Sequence, residues 1–219
     1  CINLTADIAV NRTCRLANAS ELRLRELIKS NLSGLKKILE WNKKNEIYLY
    51  RISSDVVPFA SHPVNKILWW EEFKKELTDI GNFIKKNEMR VYMHPNPVVY
   101  LNSPRNDVVK SSIEELKWHV KFLDSLGIDF THKIVFHAGG VYKNKQQSIE
   151  RFVNVYNDLP ESFKCRLTLE NDDKNYNVWD ILKINELTGI PLVFDNLHHR
   201  VLNEDKPEDR NIELILKKF

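Results

Sequence analysis

The sequence predicts an α/β protein, a TIM-type (β/α)8 barrel with about six of the eight strands falling within these 219 residues. Three observations predict it. Short apolar runs alternate with segments of helical periodicity along the whole chain. Five of those runs stop abruptly on polar groups, most of them acids and imidazoles, and in a parallel barrel the carboxyl ends of the strands converge on one mouth. No linker, low-complexity tract or internal repeat interrupts the pattern, so 1–219 reads as a single barrel domain.

The elements follow in order. Cys1–Leu4 reads as the opening strand, and Asn18-Ala19-Ser20 caps a helix over Glu21–Lys44 whose apolar stripe is Leu24, Leu27, Ile28, Leu32, Leu35, Ile38 and Leu39. Strand Glu46–Ile52 runs into Ser53 and Ser54. A helix is expected over Pro63–Asn87, then strand Arg90–Met93 ending on His94. The next helix spans Asp107–Gly127, with Gly127 placed to stop it. Strand Lys133–Phe136 delivers His137-Ala138-Gly139-Gly140, a helix covers Lys145–Leu159, and strand Arg166–Leu169 delivers Glu170. A helix over Tyr176–Thr188 leads to the run Leu192-Val193-Phe194, which ends on Asp195 with His198 and His199 beyond it. Glu208–Lys218 is the last helix. The chain opens inside a strand and the alternation stops before a seventh, so the expectation is that residues are missing at both ends.

Composition narrows the class without naming a function. A content of 42% hydrophobic and 29% charged residues is that of an ordinary globular chain with a substantial core. The net charge of +3 permits nucleic acid as a partner without arguing for it, since phosphate binding can be a local patch. Three cysteines without paired spacing point to a reducing, cytoplasmic setting. No apolar run approaches the roughly 18 residues of a membrane span and no signal-peptide pattern opens the chain, so no membrane partner is expected; a monomer is.

Taken together, the strand ends supply His94, His137, Glu170, Asp195 and His198, with His62 in the loop after the second strand. Imidazole and carboxylate ligands suit zinc, manganese or iron, whereas calcium and magnesium sites are mostly oxygen. The spacing of Asp195 and His198 places both on one turn after a strand. A carboxylate such as Glu170 at the end of an apolar strand is costly unless paired or metal-bound. His119 and His132 are set aside as structural or surface residues, and His199 is either a ligand or support behind His198.

Specific motifs then carry a resemblance. These are CINLT at Cys1–Thr5, NRTCRLAN at Asn11–Asn18, YRISSDVVPFASHP at Tyr50–Pro63, LNSP at Leu101–Pro104, HAGGVY at His137–Tyr142, LENDD at Leu169–Asp173 and FDNLHH at Phe194–His199. In that order, over nearly the whole chain, they resemble the UV damage endonuclease family, whose barrel is similar to that of endonuclease IV. The resemblance implies a metal-dependent, ATP-independent nuclease that nicks damaged duplex DNA immediately 5′ to a lesion such as a pyrimidine photodimer. It implies metal ligands at His94, His137, Glu170, Asp195 and His198, with His62 and Asn3 beside the scissile phosphate and Glu170 also serving catalysis. Two or three divalent ions are expected, manganese first and zinc as an option.

Departures bear on specificity. The family's glutamine and aromatic probe after the His-Pro of the third strand is replaced here by Asn96, Pro97 and Val98, which offer neither that amide nor a ring. The family's N-terminal Gly-Tyr, its remaining ligands and a modified lysine fall outside this sequence. DNA phosphates are assigned to Arg12, Arg15, Arg51, Arg105, Lys143, Lys145 and Arg200. Other readings stay open: an apurinic-site endonuclease, a sugar isomerase or epimerase of the xylose isomerase type, and a non-catalytic DNA-binding barrel.

Overall fold

The computed structural model describes residues 2–3, 8–203 and 207–219, with the side chains of Ile2 and Asn3 left aside. Strands β1 (Ile2–Asn3) and β2 (Ile8–Ala9) pair antiparallel, with Ile2 opposite Ala9. Of the segment read as the opening strand, Ile2 and Asn3 are extended, whereas Cys1 and Leu4 lie outside the described residues. This two-stranded pairing is distinct from the five-stranded sheet of the later strands, so among the described residues the parallel sheet has five strands where the sequence suggests six.

Helix α1 (Glu21–Lys44) starts where expected, because the Ser20 side chain accepts from the Arg23 N–H. Its stripe is buried as predicted, with Leu24, Ile28, Leu35 and Leu39 fully enclosed. Strand β3 (Leu49–Ile52) begins three residues later than the sequence suggests. Glu46 adopts φ 58°, and Ile47 N–H donates to Asn42 O, so the end of α1 consumes the start of the apolar run.

The helix expected over 63–87 forms only from Trp69, as α2 (Trp69–Glu72) and α3 (Lys74–Lys86). Asn65 explains the delay. Its amide donates to Pro58 O at 2.9 Å and accepts from Ile67 N–H at 3.1 Å, satisfying locally the groups that a helix would use. Strand β4 (Arg90–Met93) follows, then α4 (Asn106–Ser125), which gives way to Gly127 at φ 65° as predicted.

Strand β5 (Ile134–His137), α5 (Lys145–Asn157), α6 (Glu161–Lys164), β6 (Leu167–Glu170), α7 (Val178–Thr188), β7 (Leu192–Val193), α8 (Asn196–Val201) and α9 (Ile212–Leu216) complete the order. The expected helix 208–218 is broken into a 3-10 turn, Pro207–Arg210, and α9. Asp209 is buried and accepts from the Trp179 indole N–H at 2.6 Å, while Asn211 accepts from Leu214 N–H and restarts the helix.

Packing gathers the chain into two compact units, residues 1–94 with 117–134 and residues 95–116 with 135–219. In the first, β3 and β4 pair in parallel from Leu49 opposite Arg90 to Ile52 opposite Met93, and Met93 meets Ile134 at the start of β5. Its core holds Ile52, Val56, Leu77, Ile84, Val91, Phe122 and Leu123. A buried polar brace crosses it: the Asn31 side chain accepts from Arg12 N–H at 2.9 Å and donates to Arg12 O and Asp55 O.

In the second unit β5 neighbours β6, and β6 runs parallel to β7 with Leu169 opposite Leu192 and Glu170 opposite Val193. Phe136, Phe152 and Tyr156 stack at 6.1 Å spacing beneath that sheet's strands, with Leu167, Leu169, Val178, Ile181 and Ile184 also buried. Burial pushes the Tyr156 phenol up to about 12.

Two glycines of the first unit should separate packing from backbone effects. A Cβ on Gly81 would collide with the Leu126 carbonyl oxygen, whereas one on Gly127 would meet nothing but would occupy a left-handed backbone. In urea unfolding, Gly81→Ala is expected to cost about 3 kcal/mol or more, and Gly127→Ala about 1 kcal/mol. The reverse ranking would show that α3 does not press on the Gly127 turn as described.

Candidate metal centre

His137 closes β5 and Glu170 closes β6, so two neighbouring apolar strands hand over an imidazole and a carboxylate. Both are half-buried, and His137 Nε2 lies 3.4 Å from Glu170 Oε2. His137 Nδ1 lies 3.3 Å from the Glu170 carbonyl oxygen, so both ring nitrogens face oxygen atoms that accept. In the tautomer that bonds this carbonyl, Nε2 presents a lone pair to a carboxylate oxygen. Two electron-rich atoms at that separation need positive charge beside them, as a proton on the ring or as a cation. The donor set therefore fits a divalent metal.

The end of β7 brings the next pair. Asp195 caps α8, its Oδ1 accepting from His198 N–H at 2.8 Å, so the predicted one-turn relation between the two is realised. His198 Nδ1 lies 2.8 Å from the Asn171 carbonyl oxygen, which can only accept, so this contact leaves Nε2 with its lone pair in the neutral ring. The His137 and His198 rings sit 5.3 Å apart between centroids. In the second unit His137 thus lies beside both Glu170 and His198, and Asp195 is tied to His198 through the α8 cap.

The loop behind His137 is held by residues the sequence did not single out. Asn102 is fully buried; its amide donates to Gly140 O at 2.8 Å and to the Tyr176 hydroxyl at 2.9 Å, and accepts from Gly140 N–H at 3.2 Å. Tyr176 in turn donates to Gly140 O at 3.0 Å. Burial raises the Tyr176 phenol, which keeps that donated proton in place. Gly139 takes φ 109°, a backbone open to glycine, and its position is packed by Asn102. Asp172, buried, accepts from the backbone N–H groups of Lys174 and Tyr176 and shapes the turn after β6. The signal was available, since Asn102 lies in LNSP and Asn171 in LENDD, but an asparagine there reads equally well as a turn residue.

Other predicted residues are placed as follows. His94 follows β4 directly and is half-buried in the first unit, where its carbonyl accepts from the Ser54 hydroxyl at 2.8 Å. His119, set aside in the sequence, is fully buried and lies 3.1 Å from that hydroxyl; His132 is also buried, 3.1 Å from Val91 N. His62 is exposed in a turn, and its Nδ1 accepts from Val64 N–H at 3.1 Å, so the neutral ring carries its hydrogen on Nε2. The side chain of Asn3 lies outside the described residues. His199 is 2% exposed and its Nε2 lies 2.8 Å from Asp209 O, which identifies it as support for the segment after α8.

Of the basic residues, Arg12, Arg15 and Arg51 are exposed in the first unit, and Arg105, Lys143 and Arg200 in the second. Arg105 is tied to Asp107, whose carboxyl it holds below the usual range through a direct hydrogen bond. Lys145 is paired with Asp180 at 2.7 Å. Asn96, Pro97 and Val98 are all exposed, and Pro97 O accepts from the Tyr100 hydroxyl at 2.9 Å. No helix among the described residues is long and apolar enough to cross a membrane.

Comparison with known proteins gives the family and the fold. The chain is 44% identical over 199 residues to a UV DNA damage endonuclease of Clostridium perfringens strain 13, an alignment covering 91% of this chain and 48% of that protein. The chain spans about half the length of the curated relatives it matches. The crystal structure of SacUVDE superposes with a TM-score of 0.93 at 44% identity, covering all of this chain and 75% of that one. Endonuclease IV from Thermus thermophilus shares the fold at 13% identity and a TM-score of 0.59, over 84% of this chain and 65% of its own. These neighbours are TIM-barrel proteins, which bears out the predicted fold class. The family described as UV-endonuclease UvdE matches residues 2–218, and the chain belongs to that family.

Proposed function

We propose that this chain forms most of the catalytic barrel of a divalent-metal-dependent endonuclease that nicks duplex DNA immediately 5′ to UV photoproducts, within an excision repair route. The observation that carries the reading is the cluster of His137, Glu170, Asp195 and His198 at adjacent strand ends, in a chain of this family. His94, the residue just after β4, is proposed as a further ligand. Imidazole and carboxylate donors suit manganese, with zinc the nearest competitor.

The residues divide the work. His137, His198 and Glu170 hold the cation, with Asp195 contributing a carboxylate oxygen. When bound, the cation supplies an activated water and charge neutralisation at a phosphodiester. His62 offers an Nε2–H donor to a non-bridging phosphate oxygen, a role that its Nδ1 contact with Val64 prepares. Asn3 is proposed beside the same phosphate. Arg12, Arg15, Arg51, Lys143 and Arg200 would carry sequence-independent phosphate contacts. Arg105 and Lys145 would contribute less, because each already faces a carboxylate. Asn96, Pro97 and Val98 would meet the duplex at the lesion. The active form is proposed to be a monomer working on DNA in the cytoplasm.

Incision of a duplex carrying one defined photodimer tests the reading. The expected outcome is manganese-dependent nicking 5′ to the dimer, lost on chelation, with Glu170→Gln and His137→Gln each slowed by about 10²-fold or more. Undiminished nicking by Glu170→Gln would remove Glu170 from the chemistry. An abasic duplex run alongside, if cleaved far faster than the photodimer, would favour the apurinic-site alternative.

Binding to the same duplex should weaken steeply with salt. If about five phosphates are neutralised, the slope of log affinity against log salt is expected near −4 to −5. Lys143→Ala should reduce its magnitude by about one; a slope near zero would mean that the basic residues do not touch DNA.

A further inference from the structure

Asn171 is fully buried and spends its side chain entirely on backbone. Its Nδ2 donates to Asp195 O at 2.9 Å and its Oδ1 accepts from Asp195 N–H at 2.8 Å. This two-point clamp reads the peptide groups of Asp195 as a neighbouring strand would, at a place where β7 has already ended at Val193. The Asn171 carbonyl is meanwhile 2.8 Å from His198 Nδ1. One residue therefore fixes the backbone of one proposed ligand and the ring orientation of another.

Few side chains can do this. An amide presents a donor and an acceptor side by side, whereas a carboxylate presents acceptors only and would set a negative charge against Asp195 O. A shorter or apolar side chain would leave the Asp195 N–H without its partner in a buried setting. Asp195 is also the N-cap of α8, so a shift of its backbone would move the cap and, with it, His198.

We propose that Asn171 is a positioning residue of the metal centre, holding Asp195 and His198 in ligating register without touching the metal, substrate or water itself. The inference rests on the reading of this cluster as a metal centre. Outer hydrogen-bonding partners of ligands commonly control metal affinity by about 10- to 100-fold.

Metal binding to the full chain, followed by loss of the free manganese resonance signal and by the visible absorption of the cobalt-substituted protein, tests it in four proteins. Wild type, Asn171→Asp, Asn171→Ala and Asp195→Asn would be compared, with circular dichroism to establish that each is folded. The expected result is tight binding by wild type, weak binding by Asp195→Asn, and binding about 10- to 100-fold weaker in both Asn171 variants, with a displaced cobalt band reporting altered ligand geometry. Folded Asn171 variants with wild-type affinity and an unchanged band would overturn the proposal while leaving the metal centre standing. Failure of both variants to fold would overturn it too, by assigning Asn171 to the stability of the strand end. Absence of metal binding by wild type, with Asp195→Asn no different, would sink the metal-centre reading itself.

Discussion

A histidine ligand must be held with one chosen nitrogen toward its ion, and in the proposed metal centre the end of one strand does the holding. The carbonyls of Glu170 and Asn171 are consecutive, and each holds a ring: Glu170 O faces His137 Nδ1 and Asn171 O faces His198 Nδ1. Successive carbonyls of an extended chain point to opposite sides, toward the strands on either flank. β6 lies between β5, which ends in His137, and β7, which leads to His198. The order of strands in the second unit therefore sets one backbone carbonyl of this stretch against each imidazole, and the Asn171 side chain adds a hold on Asp195, where the turn carrying His198 begins.

That dependence explains what was legible in the sequence. Period and composition revealed α1, whose stripe of Leu24, Ile28, Leu35 and Leu39 is buried as read, and the stop at Gly127. They also placed an imidazole and a carboxylate at the strand ends where the structure has them, His137 closing β5 and Glu170 closing β6, because an acid or imidazole closing an apolar run has few inexpensive explanations. Two helix boundaries were lost where a side chain bonded nearby backbone. Asn65 held back a helix that the apolar residues Ile67 and Leu68 seemed to support, and Leu68 is instead 51% exposed. Asn211 divided the last helix in the same way by accepting from Leu214 N–H, while Asp209 was drawn instead to the distant Trp179 indole. The supporting residues were illegible for a related reason. Asn102 and Asn171 act through peptide groups distant in sequence, and no local pattern marks an amide that will find a partner 24 or 38 residues away.

The charged residues show why a count of cations is a poor guide to a phosphate surface. Arg105 and Lys145 are basic in the sequence but neutralised in place by Asp107 and Asp180. A lysine already paired would have to exchange one anion for another on meeting DNA, which gains little. Lys143 is differently situated, since it follows Tyr142 with both at positive φ and is exposed just before the Asn144 cap of α5. A strained backbone at two successive non-glycine positions must be offset by its surroundings, and such segments concentrate where a side chain has to be presented in one direction. The ring of Tyr142 lies under the Arg151 guanidinium, 5.6 Å from its centroid, which supplies part of that support.

Four adjacent residues after Leu169 illustrate how one short segment carries unlike duties. Glu170, the last residue of β6, places its carboxylate against His137, where only charge compensation makes the burial tolerable. Asn171, one step on and fully enclosed, has no room for charge and uses an amide. Asp172 is enclosed as well, yet keeps a carboxylate because the N–H groups of Lys174 and Tyr176 converge on it. Asp173 is exposed and has no such constraint. The choice among acid and amide at each step thus follows from what faces it: an imidazole at 170, the N–H and C=O of one residue at 171, a fan of backbone donors at 172 and water at 173. A single exchange of Asn171 and Asp172 would conserve composition and charge yet place a carboxylate against a carbonyl and an amide against a row of donors, and both the turn and the site depend on avoiding that.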